Sequence, residues 1–185
     1  MQQQTDEVMT GGVEAEEAAV DHVRDPREGM PVVGVRAGEG PAHAGGAQTA
    51  RHMSVLKDVI AVIEGDVQTD NDARRIARHN VPVVQIVTNG GCHLDAKLVG
   101  DAMTSLPLDQ INVLIIENVG NLVCPAGYDL GETMKVVVLS VTEGEDKPLK
   151  YPTVFHTADV AVITKMDLAE AVEFDIAAAR ASVEQ

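Results

Sequence analysis

Cys92 and His93 are adjacent in Gly90-Gly91-Cys92-His93, and Cys124 follows in Asn121-Leu122-Val123-Cys124-Pro125. Two soft thiolates and an imidazole suit Zn²⁺ or Ni²⁺, and three protein ligands leave a fourth position for solvent or a partner's ligand. The spacing is not that of a CxxC pair. The same residues therefore also read as two small buried cysteines and a histidine that caps the following helix. A disulfide is the remaining option, but in a reducing cytosol cysteines beside histidine belong with metal sites or reduced interiors.

A second group is acidic. Asp66 closes Ile63-Glu64-Gly65-Asp66, and Glu117 opens Glu117-Asn118-Val119-Gly120-Asn121. An acid at the carboxyl end of a buried strand is where a P-loop NTPase holds Mg²⁺, and a glycine such as Gly120 can follow a γ-phosphate. Taken singly, each acid reads equally as a solvated loop residue. A third signal is Thr164-Lys165-Met166-Asp167, which has the form of a guanine-specificity loop. There a carboxylate accepts hydrogen bonds from the base's N1 and exocyclic amine, a pairing adenine cannot reproduce. His22, His43, His52, His79 and His156 have no such company, and the methionines are scattered.

These residues need a scaffold that brings loops together. From residue 59 onward, short β-branched apolar runs at 59–63, 83–87, 113–116, 136–141 and 160–163 alternate with helical patterns at 71–78, 95–106 and 174–183. Continuous apolar runs are expected of strands buried on both faces, and strand-helix alternation implies a mainly parallel sheet flanked by helices. In such sheets functional residues gather in the loops after the strands' carboxyl ends. Residues 64–69, 88–93, 117–124, 142–150 and 164–167 then share one rim.

Residues 1–50 carry nine Asp or Glu against three Arg, with no sustained apolar period beyond a possible strand at 31–35. They read as an acidic, largely disordered N-terminal region, and residues 51–185 as the folded, metal-binding domain. Apolar residues make up 45% of the chain but aromatics only 2%, so the core must be built from aliphatic side chains, which favours a layered α/β interior. A net charge of −15 argues against nucleic acid and anionic membrane surfaces as partners. With no long apolar run and no signal-peptide pattern, a cytoplasmic location is expected.

The motifs Ile63-Glu64-Gly65-Asp66-Val67-Gln68-Thr69, Gly91-Cys92-His93-Leu94-Asp95, Ile116-Glu117-Asn118-Val119-Gly120-Asn121-Leu122-Val123-Cys124-Pro125 and Leu139-Ser140-Val141-Thr142-Glu143-Gly144-Glu145-Asp146-Lys147-Pro148-Leu149-Lys150-Tyr151-Pro152, in that order, resemble the HypB-type nickel-incorporation GTPases of the SIMIBI class. The resemblance runs from about residue 60 to 174. It implies a P-loop NTPase-like fold and a GTPase that dimerises and delivers nickel to the hydrogenase large subunit with a nickel-binding accessory protein. By motif match it implies Cys92, His93 and Cys124 as metal ligands near a dimer interface, and Asp66 and Glu117 as Mg²⁺ and switch residues. Gly120, Lys165 and Asp167 would contact GTP or GDP, and metal affinity would follow the nucleotide state. The urease accessory type carries a contiguous Cys-Pro-His and fits less well.

One part of the pattern is missing. A phosphate loop is written GxxxxGK[ST], and no stretch of the 185 residues satisfies it. Laid after residues 31–35, the loop becomes Arg36-Ala37-Gly38-Glu39-Gly40-Pro41-Ala42, with Pro41 where the Lys belongs and Ala42 where the Ser or Thr belongs. Glu39 adds a negative charge beside the phosphates, and Gly45-Gly46 weakens the helix that should follow. Weak nucleotide binding, or none, is expected. The fold is expected to be incomplete at both ends, and a non-enzymatic metal-binding or dimerisation module of the same fold is the alternative function.

Overall fold

The computed structural model describes residues 7–10, 32–37 and 60–184. Seven strands form one sheet: β1 (Glu7–Thr10), β2 (Val32–Ala37), β3 (Ile60–Asp66), β4 (Val83–Val87), β5 (Val113–Glu117), β6 (Met134–Ser140) and β7 (Val160–Thr164). Their order across the sheet is β1-β7-β6-β2-β5-β3-β4. Every pairing among β2 to β7 is parallel, and β1 lies antiparallel on β7. The mainly parallel α/β sheet is therefore as expected. The N-terminal fifty residues contribute two strands to it, one of them unexpected, while residues 38–59, which hold most of the stretch laid on the phosphate-loop pattern, lie outside the described residues.

Strand period explains the layers. In β3, Ala61 and Ile63 face one side with Leu114 and Ile116 of β5, where α2 (Ala96–Met103) covers them with Val99, Ala102 and Met103. Ile60 and Val62 face the other side with Ile115, under Ile76 of α1 (Asn71–Ala77). Beyond β2, Val137, Leu139, Ala161 and Ile163 pack against Val154 and Phe155 of α4 (Pro152–His156) and Ala179 of α5 (Ile176–Val183). The single-turn α3 (Lys147–Lys150) precedes α4. Asp95 caps α2 by accepting from Leu98 N, and Asp175 caps α5 by accepting from Ala178 N.

The central strand β2 has β5 on one side and β6 on the other. The chain passes to one side of β2 through β3 to β5 and then crosses to the other through β6 and β7, which makes the carboxyl end of β2 a topological switch point. Because β2 to β7 are parallel, their carboxyl ends, and the loops that follow them, share one rim. No described helix is long and apolar enough to cross a membrane.

One glycine is fixed by close approach. A Cβ on Gly65, near the end of β3, would stand 2.8 Å from Leu94 Cδ1 and 2.9 Å from Leu94 Cγ. Leu94 is fully buried and belongs to the loop that leaves β4, so that loop rests on the end of β3. We expect Gly65→Ala to cost about 1–3 kcal/mol by overpacking, read as a lower urea midpoint. An unchanged midpoint would mean that Leu94 moves aside freely.

Candidate metal and nucleotide site

The loop after β4 turns at Thr88. Thr88 N donates to Asp66 O at 2.9 Å, and Thr88 Oγ1 donates to Gly91 O at 2.6 Å. Asn89 and Gly90 supply the positive φ that the turn needs, 50° and 103° respectively. Cys92 is exposed, His93 and Cys124 are half-buried, and neither cysteine is in a disulfide. Cys92 Sγ lies 3.6 Å from His93 Nδ1, and the Cys92 thiol acts on the Cys124 thiol closely enough to raise its pKa. The three residues singled out from the sequence thus lie together at one corner.

The reading of these residues as core cysteines and a capping histidine does not hold. The cysteines are not buried, and Asp95 rather than His93 caps α2. His93 instead stacks on Tyr128, ring centroids 3.7 Å apart and planes 18° from parallel. That stack orients the imidazole, and neighbouring Val123 is 64% exposed, so the thiols stand on an accessible, partly apolar corner. The neighbouring Cys92 side chain is the main cause that pushes the Cys124 thiol above its ordinary value, with desolvation and the charge of Cys92 adding to it. Among the described residues, no three His, Cys, Asp or Glu side chains are arranged as they stand to enclose a metal ion.

Two asparagines fasten this corner to the loop after β5. Asn118 is buried, and its Oδ1 accepts from Leu94 N and Val119 N, both at 2.8 Å. Asn121 Nδ2 donates to Cys92 O at 2.7 Å, while its Oδ1 accepts from Cys124 N at 2.9 Å and Val123 N at 3.1 Å. Gly120 sits exposed between them.

The acidic group is denser than the sequence suggests. Glu64 of β3 stands in register with Glu117 of β5, both on the face that holds Ile60, Val62 and Ile115, and Asp72 of α1 is buried nearby. Glu64 is 3% exposed, and its Oε2 has no hydrogen-bond partner. Burial, then the charges of Glu117 and Asp72, push the Glu64 carboxyl up to about 10, with a hydrogen bond to Glu117 in the same direction. Asp72 is itself paired with Arg75. Asp66 is half-buried, and its Oδ1 accepts from Gln68 N and Thr69 N, which shapes the turn into α1. Sequence reasoning places Glu64 with the loop acids and misses it as a site residue; the signal that could have found it is its place inside a buried strand, two residues before Asp66.

Lys165 and Asp167 follow β7. Lys165 has φ of 59°, the left-handed turn that starts a single 3-10 turn, Met166–Leu168. β7 and β4 are five strand positions apart, roughly 24 Å at the usual spacing. The two ends of the rim are therefore well separated, with the acidic group at β3 and β5 between them.

Comparison with known proteins identifies the family and the fold. Residues 50–185 match the family described as CobW/HypB/UreG, nucleotide-binding domain. The hydrogenase maturation factor HypB of Azotobacter vinelandii is 60% identical over 119 residues, 64% of this chain and 39% of that protein. That of Escherichia coli K12 is 58% identical over 123 residues, 65% of this chain and 42% of that protein. The chain thus spans about two-fifths of the length of these curated relatives. The crystal structure of HypB from Helicobacter pylori in complex with nickel superposes with a TM-score of 0.78 at 39% identity, covering 84% of this chain and 74% of that one.

The acidic pair generates a pH dependence. Glu64 keeps its proton in the folded chain to about pH 10 but loses it near pH 4.5 when unfolded. Its contribution to stability is therefore fully present below about pH 4.5 and is lost progressively as pH rises towards 10. Glu64→Gln keeps a neutral donor against Glu117, so without added metal it should lose much less stability between pH 5 and pH 9 than the wild type. Parallel slopes of melting temperature against pH for the two proteins would contradict this assignment.

Proposed function

This chain belongs to the CobW/HypB/UreG family of nucleotide-binding domains, and on that premise we propose that it is the metal-handling domain of a HypB-type nickel-incorporation protein serving nickel-iron hydrogenase maturation. The observation that carries the proposal is the accessible grouping of Cys92, His93 and Cys124, with Cys92 against His93 and Asn121 bonded to the backbone of both cysteines. Soft thiolates with an imidazole bind Ni²⁺ or Zn²⁺ as cargo, and an exposed corner lets that cargo enter and leave. These three do not by themselves enclose an ion, and solvent or a second copy of the chain completes the coordination. Exposed Val123 and Tyr128 beside the thiols give the homodimer an apolar contact. The nickel-binding hydrogenase accessory protein and the hydrogenase large subunit are the donor and acceptor in this reading.

The nucleotide side belongs to the same proposal. Asp66 and Glu117 would hold Mg²⁺, and Lys165 with Asp167 would recognise the guanine of GTP or GDP. The buried Glu64 oxygen without a partner, beside Glu117, fits a cation at the strand ends. When bound, Mg²⁺ neutralises charge on the phosphate oxygens. Asp66, tied by Gln68 N and Thr69 N, would hold its side of that cation, while Glu117 opens the loop that Asn118 and Asn121 fasten to Leu94 and Cys92. A change at Glu117 or Gly120 would thereby reach the thiols. One sequence feature favours the alternative of a non-enzymatic metal-binding or dimerisation module: Pro41 and Ala42 stand where the phosphate loop needs Lys and Ser or Thr.

Titration with Ni²⁺ tests the metal proposal. Cys92→Ser and Cys124→Ser should each weaken binding by more than the roughly 10- to 100-fold that loss of an outer hydrogen-bond partner costs. Affinity should fall with falling pH, because the Cys124 proton competes with the ion. Unchanged affinity in both serine variants would refute the site. Calorimetry with GDP and Mg²⁺ separates the two functional readings: micromolar binding supports the nucleotide-coupled protein, and no heat from a folded sample supports the metal module.

A further inference from the structure

We propose that Asn121 is the positioning residue of the thiol site, one amide that sets the distance between Cys92 and Cys124. The inference rests on the metal reading above and adds to it what holds the two sulfurs together.

The need for such a residue follows from the sheet. Cys92 leaves β4 and Cys124 leaves β5, but β3 lies between those strands. Their ends are two strand spacings apart, roughly 10 Å. Two thiols cannot meet across that gap unless the loops lean towards each other over the end of β3. Gly65 clears the way by letting Leu94 rest on β3, but packing alone does not fix where the cysteine backbones stop.

Asn121 closes the gap with both ends of its side chain. Its Nδ2 donates to the Cys92 carbonyl, 29 residues away in sequence, and its Oδ1 accepts from the Cys124 and Val123 amides. The task requires a donor towards one cysteine and an acceptor towards the other. A carboxylate lacks the donor. Asn121→Asp therefore keeps the acceptor that faces Cys124 and removes the bond to Cys92, which makes it a selective probe, with Asn121→Ala as the complete deletion.

The experiment is titration of the full chain with Co²⁺ alone, following the thiolate-to-cobalt charge-transfer absorption. In the wild type the band should have the intensity of two thiolates. In Asn121→Asp binding should weaken by about 10- to 100-fold, as for other outer hydrogen-bond partners, and the band should fall to the level of one thiolate, with the melting curve still cooperative. Weaker binding with the two-thiolate band intact, or no change in either variant, would overturn the proposal. If the wild type binds no Co²⁺, the metal reading falls, and Asn121 is judged on the thiols alone. Cys92 and Cys124 are the chain's two cysteines, so glutathione disulfide converts them to one intramolecular disulfide and two glutathione thiols, counted by free-thiol assay. The equilibrium should favour that disulfide at least about tenfold less in both Asn121 variants, and equal equilibria would overturn the proposal.

Discussion

The loop that leaves β4 carries polar backbone groups that the sheet does not pair. The Leu94 amide and the Cys92 carbonyl both find their partners on asparagine side chains of the loop after β5. A buried backbone group left unpaired costs free energy comparable to a lost hydrogen bond, so the buried Leu94 bond fixes how the loops meet, and the more exposed Cys92 bond reinforces it. Asn118 accepts twice through Oδ1 while its own Nδ2 is buried without a partner. An orphaned donor of that kind costs about 1–3 kcal/mol, which the fixed loop junction offsets. The thiols, the stacked His93 and the exposed corner all follow from that junction.

The same junction joins two kinds of chemistry. On one side are thiols and an imidazole at the surface; on the other are the carboxyls of Glu64 and Glu117, buried at the ends of adjacent strands. Two carboxylates this close cannot both ionise cheaply in a dry site, so in the absence of a cation they share a proton. A cation there would release the proton and alter the charge at the base of the Glu117 loop, whose other end holds Cys124. Coupling between the sites then needs no long pathway, only movement of one loop of about eight residues.

Much of this was legible in the sequence, for reasons that differ by element. The strands β3 to β7 were readable because their β-branched runs have no helical period, and the parallel arrangement followed from strand-helix alternation. Cys92, His93 and Cys124 were singled out by their types and by the resemblance to HypB proteins. β1 was not expected: Glu7-Val8-Met9-Thr10 has no local signal, and it becomes a strand only by pairing with the edge of β7. The short helices α3 and α4 were hidden by Pro148 and Pro152, which read as loop residues but occupy first turns, where the missing N–H is harmless. The role of Glu64 depended on strand register, and that of Asn121 on how two loops lean across β3, neither of which a motif encodes.

X-ray absorption at the metal edge of the Zn²⁺-loaded chain tests the central claim most directly, because it counts the atoms that touch the ion. The account predicts at least two sulfur neighbours at about 2.3 Å, lost when Cys92 and Cys124 are both replaced by Ser. A shell of oxygen and nitrogen alone, with both cysteines present and reduced, would contradict it.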